Sequence, residues 1–266
     1  MLRWSFWIII GAAAVWPVLS QEAGKNDSKP LPSGRIVGGN EVSIANFPYQ
    51  LSLQIEGTHI CGASVVAPRW ALTAGHCCFG VNLADLTLRG GSANHKEGGV
   101  LFALDKLVIH PDYDDDNLNF DVCMMRIEAS FLGYANISIL PITNSGSIPS
   151  DMQGTVSGWG STVSDGEVVS NLRATSVKIL SPTTCTRQTR KYVTTTASMF
   201  CAGNVGRSIC VGDSGSPLVF EQRQIGIVSF IITECGGTAP AVYTRISNKS
   251  VREFIQQQIS NGVRHS

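Results

Sequence analysis

The sequence predicts an all-β protein made of many short antiparallel strands, and three features carry that prediction. Short runs rich in Val, Ile, Leu and Thr recur as far as residue 245, punctuated by Gly, Pro, Asn and Ser clusters, which is the pattern of a sandwich or barrel. Glycine reaches 27 of 266 residues, a dense supply of turn positions. Helical spacing occurs only at the end, where Val251, Phe254, Ile255 and Ile259 recur among Arg, Glu and Gln and predict a C-terminal amphipathic helix.

Taken in order, the chain opens with Arg3, an apolar stretch from Trp4 to Val18 and the small-residue site Val18-Leu19-Ser20, the layout of a signal peptide over residues 1–20. A membrane anchor would need nearer ~20 apolar residues, and no later segment is long enough to span a bilayer. The mature chain is therefore expected to be soluble, secreted and extracellular. Residues 21–35 are polar and rich in Pro, Gly and Lys, unable to build a core, and read as a pro-segment. From Ile36 the character changes to alternating apolar runs: 49–55, 86–88, 103–109, 122–127, 154–158, 174–179, 217–220, 224–231 and 241–246. No repeat or linker interrupts 36–266, which reads as one domain.

Composition narrows the function. Twenty Lys and Arg balance twenty Asp and Glu, which excludes a strongly basic nucleic-acid binder and an acidic disordered chain. A hydrophobic fraction of 43% is enough for a core. Eight cysteines, an even number, fit four disulfides in an oxidising compartment.

Three separated segments point to one chemistry. His76 lies in Leu72-Thr73-Ala74-Gly75-His76-Cys77-Cys78, a histidine among small apolar residues that, taken alone, reads as a core residue. Asp121 opens the apolar run Asp121-Val122-Cys123-Met124-Met125, where a carboxylate is costly to desolvate unless hydrogen-bonded; its simpler reading is a turn residue. Ser214 sits between glycines in Cys210-Val211-Gly212-Asp213-Ser214-Gly215-Ser216-Pro217, on a turn that exposes its hydroxyl, although the bare tetrapeptide also suits an ordinary polar turn. Together the three fit nucleophilic catalysis. A serine needs an imidazole to take its proton, the imidazole needs a buried carboxylate to hold its tautomer, and the oxyanion needs N–H donors, here Gly212 and Ser214.

With Arg35-Ile36-Val37-Gly38-Gly39, Gly158-Trp159-Gly160 and Tyr243-Thr244-Arg245 added, the chain from 36 to 266 resembles the chymotrypsin-like, trypsin-fold serine proteases. The order His, Asp, Ser is the family's. The resemblance implies two six-stranded antiparallel β-barrels with the site between them, His76 as general base, Asp121 as its orienter and Ser214 as nucleophile. It also implies a zymogen. Cleavage after Arg35 by a trypsin-like activator would free the Ile36 ammonium to pair with Asp213, because an unpaired buried carboxylate is costly.

The resemblance places Ser208 at the base of the specificity pocket, where trypsins carry aspartate, so a Lys or Arg side chain has no partner there. The walls depart from the pattern: Ser229-Phe230-Ile231 replaces Ser-Trp-Gly, and Ala241 replaces the second wall glycine. A branched Ile231 at the mouth favours small or medium apolar side chains, an elastase-like preference, with a chymotrypsin-like one as the near alternative. The same residue supports a rival: a non-catalytic homologue, acting as a binding or regulatory module, whose blocked pocket excludes substrates. Ser216, where the family has glycine, is a further departure.

By resemblance Cys61 pairs with Cys77, Cys185 with Cys201 and Cys210 with Cys235. Cys78 and Cys123 remain. Each lies two residues beyond His76 or Asp121, so the His76–Asp121 contact brings them within bridging range. A zinc site at His76-Cys77-Cys78 is the weaker alternative, since secreted paired cysteines oxidise and no complementary ligand pair is present, and no metal or cofactor is expected. Residues 90–97 hold few acids, which argues against a calcium requirement, and Asp112 to Asp116 read as a solvated loop. Asn26, Asn136 and Asn248 begin glycosylation sequons. The partners implied are protein or peptide substrates, the activating protease and protein protease inhibitors, with no nucleic acid or membrane; the chain is expected to be a monomer.

Overall fold

The computed structural model describes residues 39–144 and 146–263. The signal and pro-segment readings, Arg35, Ile36 and Asn26 lie outside them. Strands come in chain order as β1 (Asn40–Glu41), β2 (Gln50–Ile55), β3 (Thr58–Ala67), β4 (Trp70–Thr73), β5 (Leu86–Gly90), β6 (Val100–Ile109) and β7 (Cys123–Ile127). A second set follows as β8 (Gln153–Gly158), β9 (Arg173–Lys178), β10 (Met199–Ala202), β11 (Pro217–Phe220), β12 (Arg223–Phe230) and β13 (Ala241–Arg245). Two helices are α1 (Pro182–Thr189) and α2 (Lys249–Val263).

The first set closes on itself in the order β2-β3-β4-β7-β6-β5. Period-two patterning explains the closure: Leu51, Leu53, Ala63, Val65, Leu72, Leu88 and Met124 are fully buried in one shared core. Tight turns hold the hairpins. Glu56 and Gly57 both take positive φ (50° and 79°) between β2 and β3, matching the right-handed twist of the strands.

The second set forms a seven-stranded antiparallel sheet, β1-β9-β8-β11-β12-β13-β10. Six of these strands curl into a barrel that closes through a single bridge, Ile179 to Ala202, flanked by Leu180 N–H to Cys201 O (3.0 Å) and Gly203 N–H to Lys178 O (3.0 Å). The seventh, β1, lies on the start of β9, with Asn40 opposite Ala174 and Glu41 opposite Arg173. Val156, Val177, Phe200, Leu218, Val228 and Tyr243 fill this second core.

The C-terminal helix is present as the spacing predicts. Val251 and Ile255 are fully buried, and Asn248 Oδ1 caps it by accepting Val251 N–H (3.3 Å). Helix α1 is a correction to the expectation of a single helix. Its sequence is rich in Thr and has no apolar period, so spacing does not reveal it. Local capping makes it instead: Ser181 Oγ accepts Thr184 N–H (3.2 Å), and Pro182 takes the first turn. Of the two sequons within the described residues, Asn136 is exposed with φ 57°, while Asn248 is half-buried as the cap of α2. No helix among the described residues is long and apolar enough to cross a membrane.

Candidate active site

The site forms where the two barrels face each other. His76 follows the end of β4, and Gly75 is what lets a carboxylate reach it. A Cβ on Gly75 would lie 3.2 Å from Asp121 Oδ1 and 3.1 Å from Val122 N. Asp121 is fully buried just before β7, and its carboxylate is well supplied with donors. Oδ2 receives the His76 ring Nδ1 (2.9 Å) and Ser229 Oγ (2.6 Å), and Oδ1 receives the His76 main-chain N–H (2.8 Å). Thr244 Oγ1 also donates to the Asp121 carbonyl (2.7 Å). A buried carboxylate with three donors carries little desolvation penalty, and an Nδ1–H held by it leaves Nε2 with a free lone pair.

Ser214 stands on the turn between β10 and β11, flanked by Gly212 and Gly215 at φ 93° and 80°. Side chains are strained at such angles, and a Cβ on Gly215 would collide with Thr73 Oγ1 and the Gly62 carbonyl. The turn is pinned by Gly62 N–H to Ser214 O (2.7 Å) and Gly215 N–H to Val228 O (2.8 Å). Within the described residues the N–H groups of Gly212 and Ser214 have no protein acceptor.

Ser214 and His76 line the same cleft, of about 370 Å³, together with Leu118, Ile209, Val211, Gly212, Phe230 and Ile231. The His76–Asp121 contact is made. No hydrogen bond links the Ser214 hydroxyl to His76 among the described residues, and His76 Nε2 lies 3.7 Å from Cys77 Sγ. Asp213 is fully buried and makes no ion pair among the described residues. Its carboxylate accepts the N–H groups of Gly160 (2.8 Å) and Cys210 (2.9 Å), and burial pushes its pKa up to about 6 against their opposing pull.

Of the three expected pocket residues, one lines the cleft. Ile231 reaches the cleft, but Ser208 (5% exposed) and Ala241 (1%) are buried behind its lining. Ile209, adjacent to Ser208 in sequence, faces the cleft and packs in the same apolar cluster as Ala241 and Ile231. Ser216 is accommodated: its buried hydroxyl accepts Gln50 Nε2 (3.4 Å) in space that a Cβ on Gly62 or Gly158 would fill.

Two supporting residues escape sequence reasoning. Ser229 is noticed as part of the pocket strand yet donates to Asp121. His59 links Ser52 Oγ (2.8 Å) to the carbonyl of Gly212 (2.9 Å), and burial lowers its pKa to about 4. Its position two residues before Cys61 was the available signal.

Four disulfides are present: Cys61–Cys77, Cys78–Cys123, Cys185–Cys201 and Cys210–Cys235. The sulfurs of Cys61 and Cys77 lie beside His76, but bonded to each other they offer no thiolate. Cys78 is likewise bonded, so the zinc alternative retains a single nitrogen ligand.

The fold and the Ser, His and Asp set are of the kind found in the double-barrel serine hydrolases. The family profile described as Trypsin matches residues 36–255, and the chain belongs to the trypsin family of serine proteases. Trypsin alpha-4 of Lucilia cuprina is 36% identical over 219 residues, covering 82% of this chain and 86% of its own. Hypodermin-A of Hypoderma lineatum is 36% identical over 225 residues, covering 84% and 86%. Among solved structures, a scabies mite inactivated protease paralogue superposes with a TM-score of 0.77 at 23% identity, covering 84% of this chain and 97% of its own. At that identity the likeness speaks for the fold.

Proposed function

We propose that the chain is a secreted serine endopeptidase, made as a zymogen and cut after Arg35, that hydrolyses peptide bonds after small or medium apolar residues. One observation carries the reading. A buried, triply hydrogen-bonded Asp121 holds His76 on a cleft that Ser214 also lines, beside two unclaimed N–H groups. Ser214 Oγ attacks the substrate carbonyl while His76 Nε2 takes its proton, and Asp121 stays ionised throughout. The oxyanion is received by the N–H groups of Gly212 and Ser214. His76 then protonates the leaving amine, and water, deprotonated by the same nitrogen, releases the acyl group from Ser214. After cleavage the Ile36 ammonium pairs with Asp213, supplying the cation that this buried carboxylate lacks. The four disulfides suit an oxidising, extracellular setting.

The relatives' name trypsin does not carry cleavage after Lys or Arg to this chain, because Ser208 supplies no anion. Ile209 and Ile231 narrow the cleft instead, which favours Ala or Val over Phe. The same two residues support the second reading, a non-catalytic homologue. Treatment with trypsin, labelling with an organophosphate probe and a chromogenic peptide panel separate the two. Endopeptidase activity requires label on Ser214 together with turnover; label without turnover of any peptide favours the blocked pocket. Arg35→Gln is expected to remain inactive, and full activity without processing would overturn the zymogen reading.

A further inference from the structure

The turn that delivers Asp121 is built from unfavourable backbone. Leu118 (φ 56°) and Phe120 (φ 51°) both lie in the left-handed region, which bulky residues seldom adopt and which persists only where surroundings enforce it. Asn119, between them, is fastened to the second barrel. Its Oδ1 receives Thr196 Oγ1 (2.7 Å) and Ser198 Oγ (2.6 Å), and Ser198 Oγ in turn accepts the Phe120 N–H (3.2 Å). The two hydroxyls also touch each other (3.0 Å), and Ser198 O accepts Arg245 N–H (2.7 Å) at the end of β13. On the first-barrel side the Asn119 main chain is bound by Asn117 Oδ1 (2.9 Å) and by Asp114 N–H (3.1 Å).

We propose that Asn119 is a positioning residue for Asp121: with Thr196 and Ser198 it clasps the strained turn across the barrel junction and fixes where the carboxylate meets His76. Two left-handed residues next to Asp121 would relax toward ordinary backbone once released, and the carboxylate one residue further on would move with them. Ser229 and Thr244 hold Asp121 itself, so the clasp governs placement and not the survival of the fold. Its kinetic readout rests on the endopeptidase reading, whereas its spectroscopic readout does not.

The test is Asn119→Ala, read in two ways. In the proton NMR spectrum of the full chain, the low-field resonance of the His76 Nδ1–H facing Asp121 is expected to shift or broaden. In the processed enzyme kcat is expected to fall about tenfold with KM changed less than about twofold, the pattern of a contact that matters only in the transition state. Asn119→Asp keeps an acceptor oxygen for both hydroxyls and is expected to recover kcat to within about threefold, as a merely structural residue would not selectively do. If Asn119→Ala fails to fold, the double substitution Thr196→Val with Ser198→Ala opens the same clasp from the other barrel and is read in the same way. An unchanged low-field resonance in the opened variant overturns the proposal, as does a kcat within about twofold of the parent. Should the processed parent hydrolyse nothing while showing the resonance, the endopeptidase reading fails and the resonance alone decides on the clasp.

Discussion

Replacing Cys78 and Cys123 together by alanine removes a covalent link between the segments that carry His76 and Asp121. The two cysteines are 45 residues apart in sequence, with Cα atoms 6.7 Å apart. Loop-closure entropy assigns about 4 kcal/mol to a crosslink of that span, against about 3 kcal/mol for the 16-residue spans of Cys61–Cys77 and Cys185–Cys201. A domain of this size loses roughly 2–4 °C of midpoint per kcal/mol, so calorimetry is expected to show a fall of roughly 8–16 °C. Both side chains are buried (2% and 0% exposed), and the small volume lost in going to alanine adds little. Catalysis is expected to suffer less than stability at low temperature, because the hydrogen bonds to Asp121 remain, and to fail at temperatures the parent tolerates. A midpoint within about 3 °C of the parent, with thiol titration finding either cysteine free in the parent, would refute the reasoning.

Ser229→Ala removes the 2.6 Å charge-assisted bond to Asp121 and is expected to cost kcat about tenfold or more, with proteolytic assays against the parent as the check. Ile231→Gly is expected to raise cleavage after Phe relative to Ala; an unchanged ratio in a peptide panel counts against Ile231 as the constriction. Asp213 sets a pH dependence in the unprocessed chain. Its folded pKa of about 6 lies above the ordinary carboxylate value of 3.8, so the folded state holds the proton more tightly and stability falls as pH rises from about 4 to about 6, by up to about 3 kcal/mol. His59 acts in the opposite sense, its pKa lowered to about 4, so its contribution is lost as pH falls below its ordinary range. Denaturant titrations of parent and Asp213→Asn isolate the Asp213 contribution, which the substitution is expected to abolish.

The strand runs and the three segments of the candidate site are legible in the sequence because they depend on local pattern. Alternation marks Gln50–Ile55, whose burial is nearly complete because its polar face is covered as well, Gln50 by Ser157 and Ser216 and Gln54 by the His95 carbonyl, and glycine spacing around Ser214 marks a turn. The seventh strand of the second sheet was not legible, since Asn40–Glu41 carries no apolar signal and exists only because β9 offers it an edge. Helix α1 depends on a single serine cap in a Thr-rich segment whose residues favour strands. The pocket was half legible. Ile231 stands at the cleft, whereas Ile209, which lines it too and packs in the same apolar cluster as Ala241, carries no local signal of that role. Asn119, Thr196 and Ser198 are joined over 77 and 79 residues of sequence, and nothing local announces them.

The short pairing of Asn40–Glu41 with β9 has a consequence for anything the chain carries ahead of it. Arg173 Nη2 grips the Gly39 carbonyl at 2.9 Å, and Arg173 Nη1 holds Glu41 at 3.1 Å, so the polypeptide is moored at residue 39. Three residues span at most about 11 Å, so a terminal amine at residue 36 would be leashed to a volume of a few thousand cubic ångströms. Confinement of that order corresponds to an effective concentration of roughly 0.3 M, far above any ammonium ion arriving from solution. A free dipeptide mimic of the new terminus would compete poorly against it, and lengthening the leash with inserted glycines would erode the advantage in a graded way.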